Sequence, residues 1–321
     1  MGTHAKGGQL ISANHLLFSE QNLTRKDNWF TRFYVDDFLP EKFDFHLRNT
    51  FPSSILTSLG TAQLTTTVSY DDPLVADFVS QSPEWSCYFD AILSEEFLQN
   101  LLSVFKHEIR NRYPLAWRWI LAPRLFNSKN LETTAVFSAS RRGFHLTPHS
   151  DDKYKVVSLI HYLPDALSTG SQDAGTRFFV PRDPRSKRRV LKSQSNWSRG
   201  VRRFLPFSLA PSFEFSLARR LRVDQAVNFQ ETISFDSNFE LSESLEYAPN
   251  RLAGFIKNSW SIHEVDLTEF PSNAIRQAII INVRLKPTKF GTSLDELDIK
   301  LSRIKSRFRT RTAALAETRS A

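Results

Sequence analysis

The chain has 321 residues, 40% of them hydrophobic and 24% charged, which is ordinary for a globular protein with a sizeable core, built as one large domain or two small ones. One cysteine, Cys87, rules out an intramolecular disulfide and a cysteine-based zinc site. The formal charge of +8 is concentrated: nine basic residues and one acid, Asp183, lie between Arg182 and Arg203. Such a run suits either a solvated loop or a surface for nucleic acid or another polyanion.

Residues 1–30 are polar and weakly patterned, and read as an N-terminal arm. The first eight residues lack the apolar stretch of a secretory signal, and no run of about 18 apolar residues could span a membrane. A reducing, cytoplasmic setting is therefore the expectation. A strand followed by a helix is expected from Phe33 to Pro40 and beyond. An amphipathic helix is expected over 94–113, because Phe97, Leu101, Phe105 and Ile109 recur at i+4. Ser94 is placed to cap it, with Glu95 and Glu96 at the positive end of the dipole.

From about Leu131 the period shortens to that of strands. Residues 133–137 are β-branched and aromatic, Arg141-Arg142-Gly143 reads as a turn, and Phe144–His149 as the next strand. The run KVVSLIHYL, 155–163, is nearly continuous in apolar residues, as in a strand buried on both faces. Short strands are expected at 175–181, 251–256, 261–265 and 275–285, with a turn at Tyr247-Ala248-Pro249-Asn250. Many short strands with turn signals predict a sandwich or barrel, mainly β with flanking helices. After Pro287, Leu294, Leu297, Leu301, Ile304 and Phe308 outline a basic amphipathic C-terminal helix over 287–321. There is no glycine-rich phosphate loop and no G-x-S-x-G elbow.

The chemistry-bearing residues are His149, Asp151 and His263. On a strand, His149 and Asp151 project from one face, as a chelating H-x-D pair requires. Two imidazoles and one carboxylate can hold one face of a non-heme Fe(II) and leave the other open. Arg276, on the apolar strand IRQAIIINV, is costly to bury unless it meets an anion. Its planar guanidinium suits a carboxylate. Arg284 shares its strand-face parity and is the second candidate for that role. His145 and Thr147 share parity with His149.

The set GFHLTPHSDDKYKVVSLIHYLPD (143–165), GTRFFVP (175–181), YAPNRLAGFIKNSWSIHEVDL (247–267) and IRQAIIINV (275–283) resembles the Fe(II)- and 2-oxoglutarate-dependent oxygenases, in their prolyl-4-hydroxylase-like branch. The resemblance runs from about Asn28 to Lys286, because FYVDDFLPEKF also looks like that family's opening. It implies a double-stranded β-helix, a jelly-roll or cupin-like core, over about 131–286 of a domain at 31–286. It implies His149, Asp151 and His263 as iron ligands, Arg276 at the distal carboxylate of 2-oxoglutarate, and Tyr162 as a hydrogen-bonding partner of that carboxylate. It further implies O2 as co-substrate, ascorbate as a reductant, and hydroxylation of a C–H bond coupled to decarboxylation of 2-oxoglutarate to succinate. The substrate it implies is a prolyl or peptidyl group or a small metabolite, to which the basic run adds an anionic preference. The chain departs from the family in a long gap between Asp151 and His263, read as a basic insertion over about 182–246, and in the His263-to-Arg276 spacing. The competing readings are a non-enzymatic basic β-barrel binding nucleic acid or polyanion, a cupin-like metalloenzyme, and a halogenating oxygenase. The last is disfavoured by Asp151, which occupies the position a halide would need.

Overall fold

The computed structural model describes residues 22–59, 63–111, 128–151, 155–182, 239–258 and 260–286. The basic run beyond Arg182 and the expected C-terminal helix lie outside the described residues. In chain order the elements are β1 (Thr24–Asp27), β2 (Thr31–Val35), α1 (Glu41–Asn49), α2 (Ser53–Leu59), β3 (Thr65–Ser69), α3 (Pro73–Gln81), α4 (Pro83–Ile92), α5 (Glu95–Val104) and α6 (Lys106–Asn111). They continue as β4 (Leu131–Ser140), β5 (His145–Ser150), β6 (Lys155–Tyr162), β7 (Arg177–Pro181), β8 (Phe239–Ser244), β9 (Arg251–Ile256), β10 (Ile262–Asp266) and β11 (Arg276–Leu285).

Two antiparallel sheets form, in the orders β1-β2-β9-β6-β11-β4-β3 and β5-β10-β7-β8. The pairing has a simple rule: β4 pairs with β11, β5 with β10, β6 with β9 and β7 with β8. That is one long hairpin with its tip at β7–β8, rolled so that successive strands alternate between two sheets until β8. The β11–β6 and β10–β7 pairs close the roll. This is the jelly roll expected from the sequence. The roll brings β5 and β10, far apart in the chain, side by side in the smaller sheet.

Turn chemistry fits the connections. Gly143 takes φ 84° between β4 and β5, a left-handed conformation that glycine adopts without a Cβ penalty. Asn250 takes φ 56° before β9, and its side chain accepts from Leu39 N (2.8 Å) and donates to Leu39 O (2.7 Å). The expected turn thus also clamps the entry to α1. Ser94 caps α5 as expected, accepting from Phe97 N at 3.0 Å. The expected single helix over 94–113 is broken at Phe105, whose ring stacks on Phe33 at 4.2 Å, and resumes as α6. Both halves keep the apolar stripe, since Phe105 and Ile109 are fully buried. Two further differences concern sheet edges. Within the expected arm, 24–27 forms β1 on the larger sheet, and within the expected insertion, 239–244 forms β8.

Alternation on β11 assigns the two cores. Ile279, Ile281 and Val283 join the layer between the larger sheet and the helices, where Trp85, Phe89 and Phe137 pack together. Ala278 faces the space between the sheets with Tyr162, Phe178, Phe255 and Ile262. With both faces of β6 covered, its unbroken apolar character is explained.

One polar group is sealed in the helix-side layer. His161 is fully buried, its Nδ1 is 3.0 Å from Tyr88 Oη, and its Nε2 is 3.8 Å from Asp44 Oδ1. Asp44 is bonded by Arg48 at 2.6 Å. Burial, then the Arg48 charge, push His161 down to about 3 from 6.5. The folded pKa is depressed, so protons bind the unfolded chain first. Stability is lost as pH falls from about 6.5 towards about 3, at up to ~1.4 kcal/mol per pH unit for this one proton. Urea unfolding of His161→Leu should show a flatter pH dependence across that window. A slope equal to wild type would mean His161 does not carry it.

Candidate metal centre

The jelly roll makes His149 on β5 and His263 on β10 direct cross-strand partners, with ring centroids 4.4 Å apart. Asp151 follows one residue after β5. One ligand atom from each of His149, Asp151 and His263 lies within 4.8 Å of the others. The three residues singled out in the sequence are therefore brought together although His263 lies 114 positions after His149 and 112 after Asp151.

The hydrogen bonds set the protonation of each ring. His149 Nδ1 is 2.9 Å from Thr147 O, and His263 Nδ1 is 3.1 Å from Ser261 O. A carbonyl only accepts, so each Nδ1 carries a proton and Nε2 is the ring nitrogen left to face a metal. Burial, reinforced by the neighbouring His149, pushes His263 down to about 3, against the pull of Asp151. It is uncharged at neutral pH. Burial alone would raise the Asp151 carboxyl, but its surroundings hold it well below the usual carboxylate range. Because His263 is neutral at pH 7, the partners that matter there are Lys155, whose Nζ donates to Oδ1 at 2.8 Å, and Ser158, whose Oγ donates to Oδ2 at 2.6 Å. Two imidazoles with Nδ1 turned to a backbone carbonyl and one ionised carboxylate fit a divalent metal of the two-histidine, one-carboxylate type.

Sequence reasoning missed Lys155 and Ser158 for different reasons. Ser158 shares parity with Ile160 and Tyr162, so alternation alone could have placed it between the sheets. Lys155 could not be placed that way. The β6–β11 register slips between Val283 and Arg284, pairing Arg284 with Lys155 and passing over Val156. Val156 and Val157 consequently both lie in the helix-side layer, and Lys155 turns in to Asp151. A bulge that re-aims one side chain is invisible to a period-2 reading.

Arg276 lies at the far end of β11 and is buried. Its Cζ sits 5.4 Å from the ring centroids of both Tyr162 and Tyr247. Its Nε donates to Ala174 O at 2.6 Å. Among the described residues no carboxylate pairs with it, and a buried cation is costly unless an anion meets it. Tyr162 Oη is 2.8 Å from Thr176 Oγ1, and burial first of all raises its pKa, so it stays a neutral hydroxyl. Tyr247, not singled out in the sequence, donates to Gln277 O at 2.9 Å, and burial raises its pKa well above the ordinary phenol value, which likewise keeps it neutral. Arg284 is at the other end of β11, opposite Lys155 and away from both tyrosines. His145 is exposed at the rim, 3.4 Å from Glu264, outside the cluster. Thr147 contributes its carbonyl to His149.

No family model matches this chain, and no curated protein matches it. Solved structures to which it is similar include a prolyl-4-hydroxylase from Pseudomonas putida, at 13% identity and TM-score 0.38, covering 79% of this chain and 92% of that one. A Trichoplax adhaerens prolyl hydroxylase, solved with a hypoxia inducible factor oxygen degradation domain peptide, is similar at 10% identity and TM-score 0.35, over 79% and 83%. HygX from Streptomyces hygroscopicus, solved with nickel, 2-oxoglutarate and hygromycin B, is similar at 8% identity and TM-score 0.39, over 79% and 83%.

Proposed function

We propose that this protein is an Fe(II)- and 2-oxoglutarate-dependent dioxygenase that hydroxylates a C–H bond. The observation that carries the reading is the convergence of His149, Asp151 and His263, with both Nδ1 atoms bonded to backbone carbonyls and both Nε2 atoms left for a metal. In this reading His149, Asp151 and His263 hold the iron, and Arg276 fixes the distal carboxylate of 2-oxoglutarate beside the Tyr162 and Tyr247 rings. Iron and dioxygen, once bound, supply the oxidising chemistry that converts 2-oxoglutarate to succinate and hydroxylates the substrate. The protein's own part is geometric. The Thr147 and Ser261 carbonyls orient the two rings, and Ser158 orients the carboxylate. Phe178 and Phe255 pack against His263 and keep water from that side. A prolyl or peptidyl group, or an anionic small metabolite, is the substrate class we assign to the open face. No helix among the described residues is long and apolar enough to cross a membrane.

The test is 2-oxoglutarate turnover by the Fe(II)-loaded protein, followed as succinate released. Wild type should turn over, and His149→Ala should lose the activity while keeping the far-UV spectrum of the fold. Succinate formation by His149→Ala at near the wild-type rate would overturn the assignment.

A further inference from the structure

Orienting Asp151 needs only hydrogen-bond donors, and Ser158 is one. The second donor is an ammonium, and the strand departs from regular pairing to deliver it. Without the bulge at Val156, Lys155 would share the helix-side face with Val157, away from Asp151. With it, the Lys155 Nζ lies 2.8 Å from Asp151 Oδ1. The same register sets Arg284 opposite Lys155, with Glu132 opposite Arg284 on β4, so this end of the larger sheet carries a row of one anion and two cations. Like charges placed directly opposite each other are unfavourable.

A neutral donor on a metal-binding carboxylate leaves the metal undisturbed. An ammonium does not, because it repels a divalent cation and competes with it for the charge of the same carboxylate. We infer that Lys155 couples metal binding to anion binding at this site: it weakens the hold of Asp151 on a divalent metal, and an anion arriving beside the metal gives the displaced ammonium a new partner. The metal and the dianionic 2-oxoglutarate then bind cooperatively, and by linkage each raises the affinity of the other by the same factor. This inference rests on the metal and 2-oxoglutarate sites proposed above.

Calorimetric titration with Co(II), with and without saturating 2-oxoglutarate, tests it without any turnover. For wild type, 2-oxoglutarate should tighten Co(II) binding. Lys155→Met should bind Co(II) alone about 10-fold more tightly, opposite in sign to the 10- to 100-fold loss expected if Lys155 only oriented the carboxylate. The tightening by 2-oxoglutarate should shrink by a similar factor. Lys155→Arg, which keeps the charge, should stay near wild type. Lys155→Gln, which keeps a donor and loses only the charge, should follow Lys155→Met and decides the matter if the methionine variant does not fold. Co(II) binding in the uncharged variants that is unchanged or weaker, or an unchanged effect of 2-oxoglutarate, overturns the role of Lys155. Wild type that takes up no Co(II), or His149→Ala that binds it equally well, overturns the metal site itself.

Discussion

Arg276→Met is expected to raise the KM for 2-oxoglutarate roughly 10- to 150-fold, the equivalent of the ~1.5–3 kcal/mol that a hydrogen bond to a charged group contributes. The guanidinium is buried between the Tyr162 and Tyr247 rings and has no carboxylate partner among the described residues. Its energetic cost is offset when a carboxylate arrives. That contact is made equally before and during reaction, because the distal carboxylate takes no part in the bond changes. The change should therefore fall on KM and spare kcat. Arg276→Lys keeps a charge but loses the planar fork, and should lie between the two. Arg284→Met removes a cation from the other end of the strand and should leave the KM for 2-oxoglutarate little changed. Steady-state succinate assays at varied 2-oxoglutarate check all three. A KM for Arg276→Met equal to wild type would remove Arg276 from the site, and a large rise for Arg284→Met would reassign the role.

The legible parts of this molecule are those governed by periodicity. His149 and Asp151 could be paired from spacing alone, and the apolar run of β6 announced a strand covered on both faces. The i+4 stripe of Phe97, Leu101, Phe105 and Ile109 named the buried face correctly even though the helix breaks inside it. What stayed hidden depended on contacts between distant segments. β3 is rich in threonine and pairs only through β4, and β1 is exposed at all four positions, so neither carries an apolar signature. α3 and α4 each begin with proline after a capping Asp72 or Ser82, a local signal that was present and passed over. Tyr247 sits in a turn, where no alternation says which way it points. Lys155 is the instructive case. Its neighbours predict the opposite face, and only the register against β11 reveals that it touches Asp151.

Gly175→Ala is expected to destabilise the fold by at least ~3 kcal/mol, above the usual range for overpacking, because the obstruction is backbone and cannot rotate away. Gly175 precedes β7 with φ −76° and ψ −157°, a conformation open to any residue, so its necessity is one of space. A Cβ there would overlap the Leu245 carbonyl oxygen and come 2.7 Å from its carbon. Relief requires moving the chain after β8 away from the entry to β7, against the 2.9 Å bond from Leu245 N to Thr176 O. The displacement would not stop there. Thr176 Oγ1 holds the Tyr162 hydroxyl, and the carbonyl of Ala174 holds Arg276. The same methyl group should therefore also raise the KM for 2-oxoglutarate in whatever fraction stays folded. Gly170 supplies the contrast. It takes φ 96° with nothing within 4 Å of an added Cβ, so Gly170→Ala meets only the left-handed backbone penalty of about 1–2 kcal/mol. An added Cβ there touches none of the residues that hold Tyr162 and Arg276, and should leave KM alone. Urea denaturation midpoints for the two variants, with KM measured on each, separate the effects. Equal midpoints would show that the close approach of Leu245 to Gly175 is not what the fold depends on.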